Sequence, residues 1–142
     1  MKKLIFIFFL VATSFTVFGQ QADDVLGKWL NSSKEAHIQI YKKGNKYFGK
    51  LAWLKEPYDE SGKPKKDSKN PSEELRTRTL YGLEILKGFS FNDGVWEKGT
   101  IYDPKTGKTY SCKMTLSGNK LNVRGFVGVS LIGRTDVWTK VN

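Results

Sequence analysis

The sequence predicts an all-β chain folded as a small antiparallel, up-and-down barrel, with a β-sandwich as the alternative. Three observations carry this. No apolar repeat of 3.6 residues persists after residue 19. Short β-rich runs alternate instead with turns bearing Gly, Asn or Asp, spaced 11 to 13 residues apart in the second half. The runs number eight in about 120 residues, and eight strands close economically into a barrel that leaves no edge exposed.

Val25–Asn31 is the first expected strand. His37–Tyr41 and Tyr47–Leu54 flank Lys43-Gly44-Asn45-Lys46, where Gly and Asn tolerate the positive φ of a hairpin turn. Lys55–Ser72 reads as a polar loop containing Pro57, Pro64 and Pro71. Thr77–Phe91 is apolar and fits either element, although Gly82 and Gly88 disfavour a long helix. Asn92-Asp93-Gly94 is a strong turn signal, and Val95–Tyr102 follows as a strand. Asp103-Pro104-Lys105-Thr106-Gly107 offers Pro early and Gly at the left-handed end of a tight turn. Tyr110–Leu116, Leu121–Val127 and Thr135–Val141 complete the set, with Ser117-Gly118-Asn119 as a further turn.

Residues 1–19 have a different character. Lys2 and Lys3 precede an apolar tract from Leu4, and Val17 and Gly19 put small residues at −3 and −1 of a cut before Gln20. This is the layout of a secretory signal peptide. The tract is shorter than the ~20 residues a spanning helix needs, so no membrane span is expected once it is removed. We therefore expect a single domain at 20–142, a monomer, periplasmic or secreted.

The formal charge of +10 falls to +8 without the leader, and 20 of the 24 basic residues are Lys. Readers of bases and phosphates favour the planar fork of Arg. With export, this argues against nucleic acid as a partner. The basic patches at Lys42, Lys43, Lys46 and Lys50, and at Lys105, Lys108, Lys113 and Lys120, read as a solubilising surface with protected strand edges.

Little in the chain suits catalysis. His37 is the single imidazole and Cys112 the single thiol. Cys112 alternates with Tyr110, Met114 and Leu116, which points it to the core. No ligand spacing suits zinc, and no cofactor or metal is expected. Asp59, Glu60, Asp67 and Asn70 crowd one loop, but Lys63, Lys65 and Lys66 oppose a cation there, and Asx turns account for them.

Gly27-Lys28-Trp29 opens the first strand, and Gly133-Arg134-Thr135-Asp136-Val137-Trp138 begins the last. The pair resembles lipocalin-like barrels, in which an Arg of the last strand covers the indole of the first. That resemblance implies Arg134 over Trp29, with Gly27 and Trp138 completing the structural set. The wider match is GKW at 27–29, GKLAWLKEP at 49–57, DESGKPKKDSKNP at 59–71, LRTRTLYGLEILKGF at 75–89, WEKGTIYDPKTGKTY at 96–110 and LNVRGFVGVSLIGRTDVW at 121–138. On these stretches the chain resembles the bacterial family called domain of unknown function 2147. Thr79 stands where that family usually has Pro. The resemblance implies a small exported barrel of lipocalin kind and no established activity.

The four Arg residues stand out by their rarity. Arg76, Arg78 and Arg124 have apolar or aromatic neighbours, and with Trp53, Trp96 and Tyr102 they form the candidate ligand site. The expected function is binding of a small amphipathic or apolar molecule, an Arg at the pocket mouth selecting an anionic end. The alternative is a solid barrel that meets a protein partner through the 55–72 loop. A carboxylate-based enzyme is a third, less supported reading.

Overall fold

A computed structural model describes residues 2–5, 7–14 and 19–142. The expected cleavage-site residue Val17 lies outside the described residues, as do Phe15 and Phe18. After a short 3-10 turn at Ala22–Val25 come eight strands: β1 Gly27–Leu30, β2 Ala36–Lys43, β3 Lys46–Leu54, β4 Glu84–Asn92, β5 Val95–Asp103, β6 Lys108–Ser117, β7 Lys120–Phe126 and β8 Gly133–Lys140. Each strand pairs antiparallel with the next, and β8 returns to β1, so the barrel is closed. This is the up-and-down barrel and excludes the sandwich.

The ambiguous Thr77–Phe91 stretch divides. Its second half becomes β4, and its first half prolongs the polar loop to Leu83, through a 3-10 turn at Glu73–Leu75. Thr79 sits in an isolated bridge with Lys66, which pins the loop. Val25 is not in β1, because the 3-10 turn takes it.

Inward positions follow from pairing and burial. Trp29, Ile38, Tyr47, Leu86, Phe89, Trp96, Met114, Leu121 and Val123 are buried and form one core. Trp29 pairs with Ile38, Trp96 with Met114, and Met114 with Val123, so these side chains meet inside the barrel. Cys112 lies in the same layer, and burial pushes its thiol up to about 12, leaving it no appreciable thiolate at neutral pH.

The end carrying the N-terminus is plugged. Trp96 donates its indole N–H to the Ala22 carbonyl at 3.0 Å, and Trp29 donates to the Val25 carbonyl at 2.9 Å. The Tyr47 hydroxyl donates to Asp23 at 2.6 Å. Burial, then this carboxylate, raises the Tyr47 phenol to about 12. The 3-10 turn is thereby tied across the barrel floor.

The expected contact of Arg134 with Trp29 does not form. Lys140 takes that place: its ammonium lies 4.8 Å from the Trp29 ring centre and donates to the Leu26 carbonyl at 2.6 Å. Register is the reason. Trp29 pairs with Lys140, and Arg134 is six residues earlier on β8, or roughly 20 Å along the strand. Gly27, at φ 121°, leaves the room Lys140 needs, since a Cβ there would overlap its ammonium. The first and last strands are adjacent as expected.

Candidate functional site

The long β3–β4 loop lies on the outer wall, and one buried carboxylate organises it. Asp67 has no solvent exposure. It accepts from the Tyr102 hydroxyl at 2.5 Å, the Asn70 amide at 2.9 Å and the Arg78 guanidinium at 3.0 and 2.9 Å. Burial pulls its carboxyl upward, but the hydrogen bonds from Tyr102, Asn70 and Arg78 and the Arg78 charge outweigh that and hold it below the usual range. The Tyr102 phenol is pushed up to about 12, by burial first and then by Asp67. The backbone closes the same knot, since the Asp67 amide donates to the Arg78 carbonyl at 2.9 Å. Gly107, at φ 75°, lets the β5–β6 turn pass against Lys69, where any Cβ would overlap the carbonyl.

The acidic residues of this loop therefore do not converge. Asp59 is absorbed in its own turn, accepting from the Ser61 and Lys63 amides at 2.9 and 3.0 Å. Among the described residues no group of three His, Cys, Asp or Glu could hold a metal ion.

The candidate ligand residues separate. Arg78 and Tyr102 come together, but around Asp67 and outside the barrel. Arg76 donates to the Asn70 and Pro71 carbonyls at 2.7 and 3.4 Å. Arg124 donates to the Ser130 carbonyl at 2.7 Å and to the Thr135 hydroxyl at 2.9 Å, holding the β7–β8 loop. Trp53 is 41% exposed and packs on His37 with the rings tilted by 37° and their centres 4.6 Å apart. Trp96 is part of the plug. None of the three expected Arg residues stands at the mouth of the interior.

Another Arg does, and the strand register locates it. Cys112 pairs with Gly99 and Gly125, and Gly125 with Arg134, so these four share the inner face. Ile101 pairs with Tyr110, and both side chains come beside Gly125. Leu54 pairs with Ala36 and packs on the core from the same end. These residues line the open end of the barrel. Leu54, Ile101 and Tyr110 are half-buried there, Ile101 and Tyr110 pack against Gly125, and exposed Arg134 stands at the rim. Asp136 lies two residues further in and accepts from the Trp138 indole at 2.7 Å and from the Ser32 hydroxyl. Among the described residues no carboxylate lies within ion-pair distance of Arg134. An exposed Lys105–Glu35 pair at 2.6 Å joins two rim loops and adds little energy.

Alternation on β8 could have shown that Arg134, Asp136, Trp138 and Lys140 share a face. Nothing in the sequence set their heights against β1.

Two clefts lie on the outer wall. One of about 440 Å³ runs beneath the β7–β8 loop, lined by Lys98, Thr100, Ser111, Lys113, Phe126 and Ser130 among others. One of about 220 Å³ lies beside Arg78 and Tyr102, under the long loop.

The closed eight-stranded up-and-down barrel has a lipocalin-like fold. A solved structure agrees: protein HP1028 from the human pathogen Helicobacter pylori, described as belonging to the lipocalin family, matches with a TM-score of 0.74 at 18% identity over 84% of each chain. The chain belongs to the family described as "Uncharacterized protein conserved in bacteria (DUF2147)", whose model matches residues 27–140. No curated protein matches it. Among the described residues no helix is long and apolar enough to cross a membrane.

Proposed function

We propose that this protein is exported and that the open end of its barrel binds a small amphipathic or apolar molecule, with Arg134 meeting an anionic end. The observation that carries the reading is the half-buried apolar end of the barrel beside Arg134. The interior is solid below, yet at the open end apolar walls remain half exposed beneath an Arg without an acidic partner. Eight-stranded barrels of lipocalin kind are wide enough for one small ligand. A neutral side chain would close such a mouth better than an unpaired guanidinium, which suits a carboxylate or phosphate.

Export draws support from the leader-like composition of residues 1–19 and from where contacts begin. Leu4, Ile5, Phe8 and Leu10 are exposed, whereas Gln20 already bonds to the Leu116 carbonyl. Intact-mass analysis of protein recovered after export should show residues 1–19 missing. A full-length or lipid-modified mass would reject export.

Binding is tested by native mass spectrometry of the same preparation and by titrating anionic amphiphiles against Trp fluorescence. We expect saturable binding, weakened about tenfold by Arg134→Ala, the loss of one charge-assisted contact. A ligand-free mass with no saturable change across the panel would sink this reading. The interaction-module reading would then stand ahead, as the solid lower interior and the exposed Tyr58 and Tyr81 of the long loop favour it.

A further inference from the structure

The β7–β8 loop, Val127-Gly128-Val129-Ser130-Leu131-Ile132, carries no charge and points its apolar side chains into solvent. Val127, Val129, Leu131 and Ile132 are 72%, 58%, 90% and 72% exposed. Patches of this kind on a folded domain mark a contact surface. The loop is also held in this presentation. Arg124 grips the Ser130 and Leu131 carbonyls, Lys113 donates to the Ser130 hydroxyl at 3.2 Å, and the Ile132 amide closes a turn on the Val129 carbonyl at 3.1 Å. Its side chains thus need little further ordering on contact.

The surroundings identify the kind of partner. The collar of the loop is Lys113, Arg124 and Arg134, and among the described residues none of the three is paired with a carboxylate. Glu97, in the cleft beneath, is engaged by the Asn92 amide at 3.3 Å. An apolar tip inside a basic collar matches the boundary of an anionic bilayer, with acyl carbons for the tip and phosphates for the collar. A symmetric second copy would oppose collar to collar and repel.

We propose that Val127–Ile132 is a membrane-contacting loop that seats the open end of the barrel on an anionic phospholipid surface. The two readings share Arg134, but the apolar tip is separate, because Leu131 and Ile132 are not among the ligand-binding residues, and the test below reads the tip alone.

The test is a fluorophore on the loop itself. Leu131→Cys is labelled with a polarity-sensitive dye, and Asn45→Cys, at the opposite end, serves as control. Buried Cys112 does not compete for the dye. Vesicles of phosphatidylcholine alone are compared with vesicles that also contain phosphatidylglycerol. We expect a blue shift and brightening at position 131 with the anionic vesicles only, lost at high salt, and none at position 45. Ile132→Asp, an exposed site that the fold tolerates, should weaken the vesicle titration at least about tenfold. No shift at position 131, an equal shift at position 45, or an equal response to phosphatidylcholine alone would overturn the proposal. A shift that follows protein concentration without vesicles would overturn it in favour of self-association.

Discussion

Replacing Asp67 with alanine is expected to lower the unfolding free energy by about 3 kcal/mol, because a buried charged partner is lost and its donors are left unsatisfied. Tyr102, Asn70 and Arg78 all converge on this one carboxylate. The loss should appear as a lower urea midpoint with an unchanged slope. Tyr102→Phe removes one donor only and should cost about 1 kcal/mol. The pH dependence has a defined sign. The folded carboxyl lies below its unfolded value, so its stabilisation is complete above the unfolded value and is lost as pH falls through the folded one. The gap between wild type and Asp67→Ala should therefore narrow below about pH 4. A gap that stayed constant into acid, or a loss under about 1 kcal/mol, would show that the knot does not hold the loop.

Trp96→Ala is expected to cost about 3–5 kcal/mol, the range for deleting a large buried aromatic. Trp96 is fully buried, packs on Phe91 with ring centres 4.9 Å apart, and holds the Ala22 carbonyl. The damage should be directional. Amide exchange at Gln21–Leu26 should accelerate beyond the global change, because the plug loses one of its ties. Urea unfolding and exchange mass spectrometry measure both. Uniform acceleration, with no excess at the plug, would reduce Trp96 to a plain core residue.

Strand alternation and turn chemistry made most of the barrel legible in the sequence. The runs around Ile38, Leu51, Met114 and Val123 showed period-two burial, and Gly-Asn and Asp-Gly pairs marked the hairpins. The site was less legible. The expectation that an Arg of β8 covers Trp29 failed because alternation fixes a face but not a height, and Lys140 stood at the right height. The same Arg134 stands exposed at the open end, whereas Arg76, Arg78 and Arg124 bond to loop groups. Asp67 was hidden for a different reason. Asn70 lies three residues away, as an Asx turn allows, but Arg78 and Tyr102 lie 11 and 35 residues away, and no periodic pattern joins them.

The β1–β8 seam has a consequence for how the chain reaches this structure. It rests on Trp29–Lys140 and Leu30–Thr139, residues more than a hundred positions apart, whereas every other pairing joins neighbours through a loop. Seven of the eight pairings can form stepwise along the chain at modest entropic cost. The seam must wait for the last strand, so it is the most non-local event in folding and the slow one. β1 is only four residues long, so the seam is also the weakest part of the wall. Ring closure comes last in folding and reopens first in the native protein, and a chain stopped before residue 139 would keep an open sheet with two bare edges.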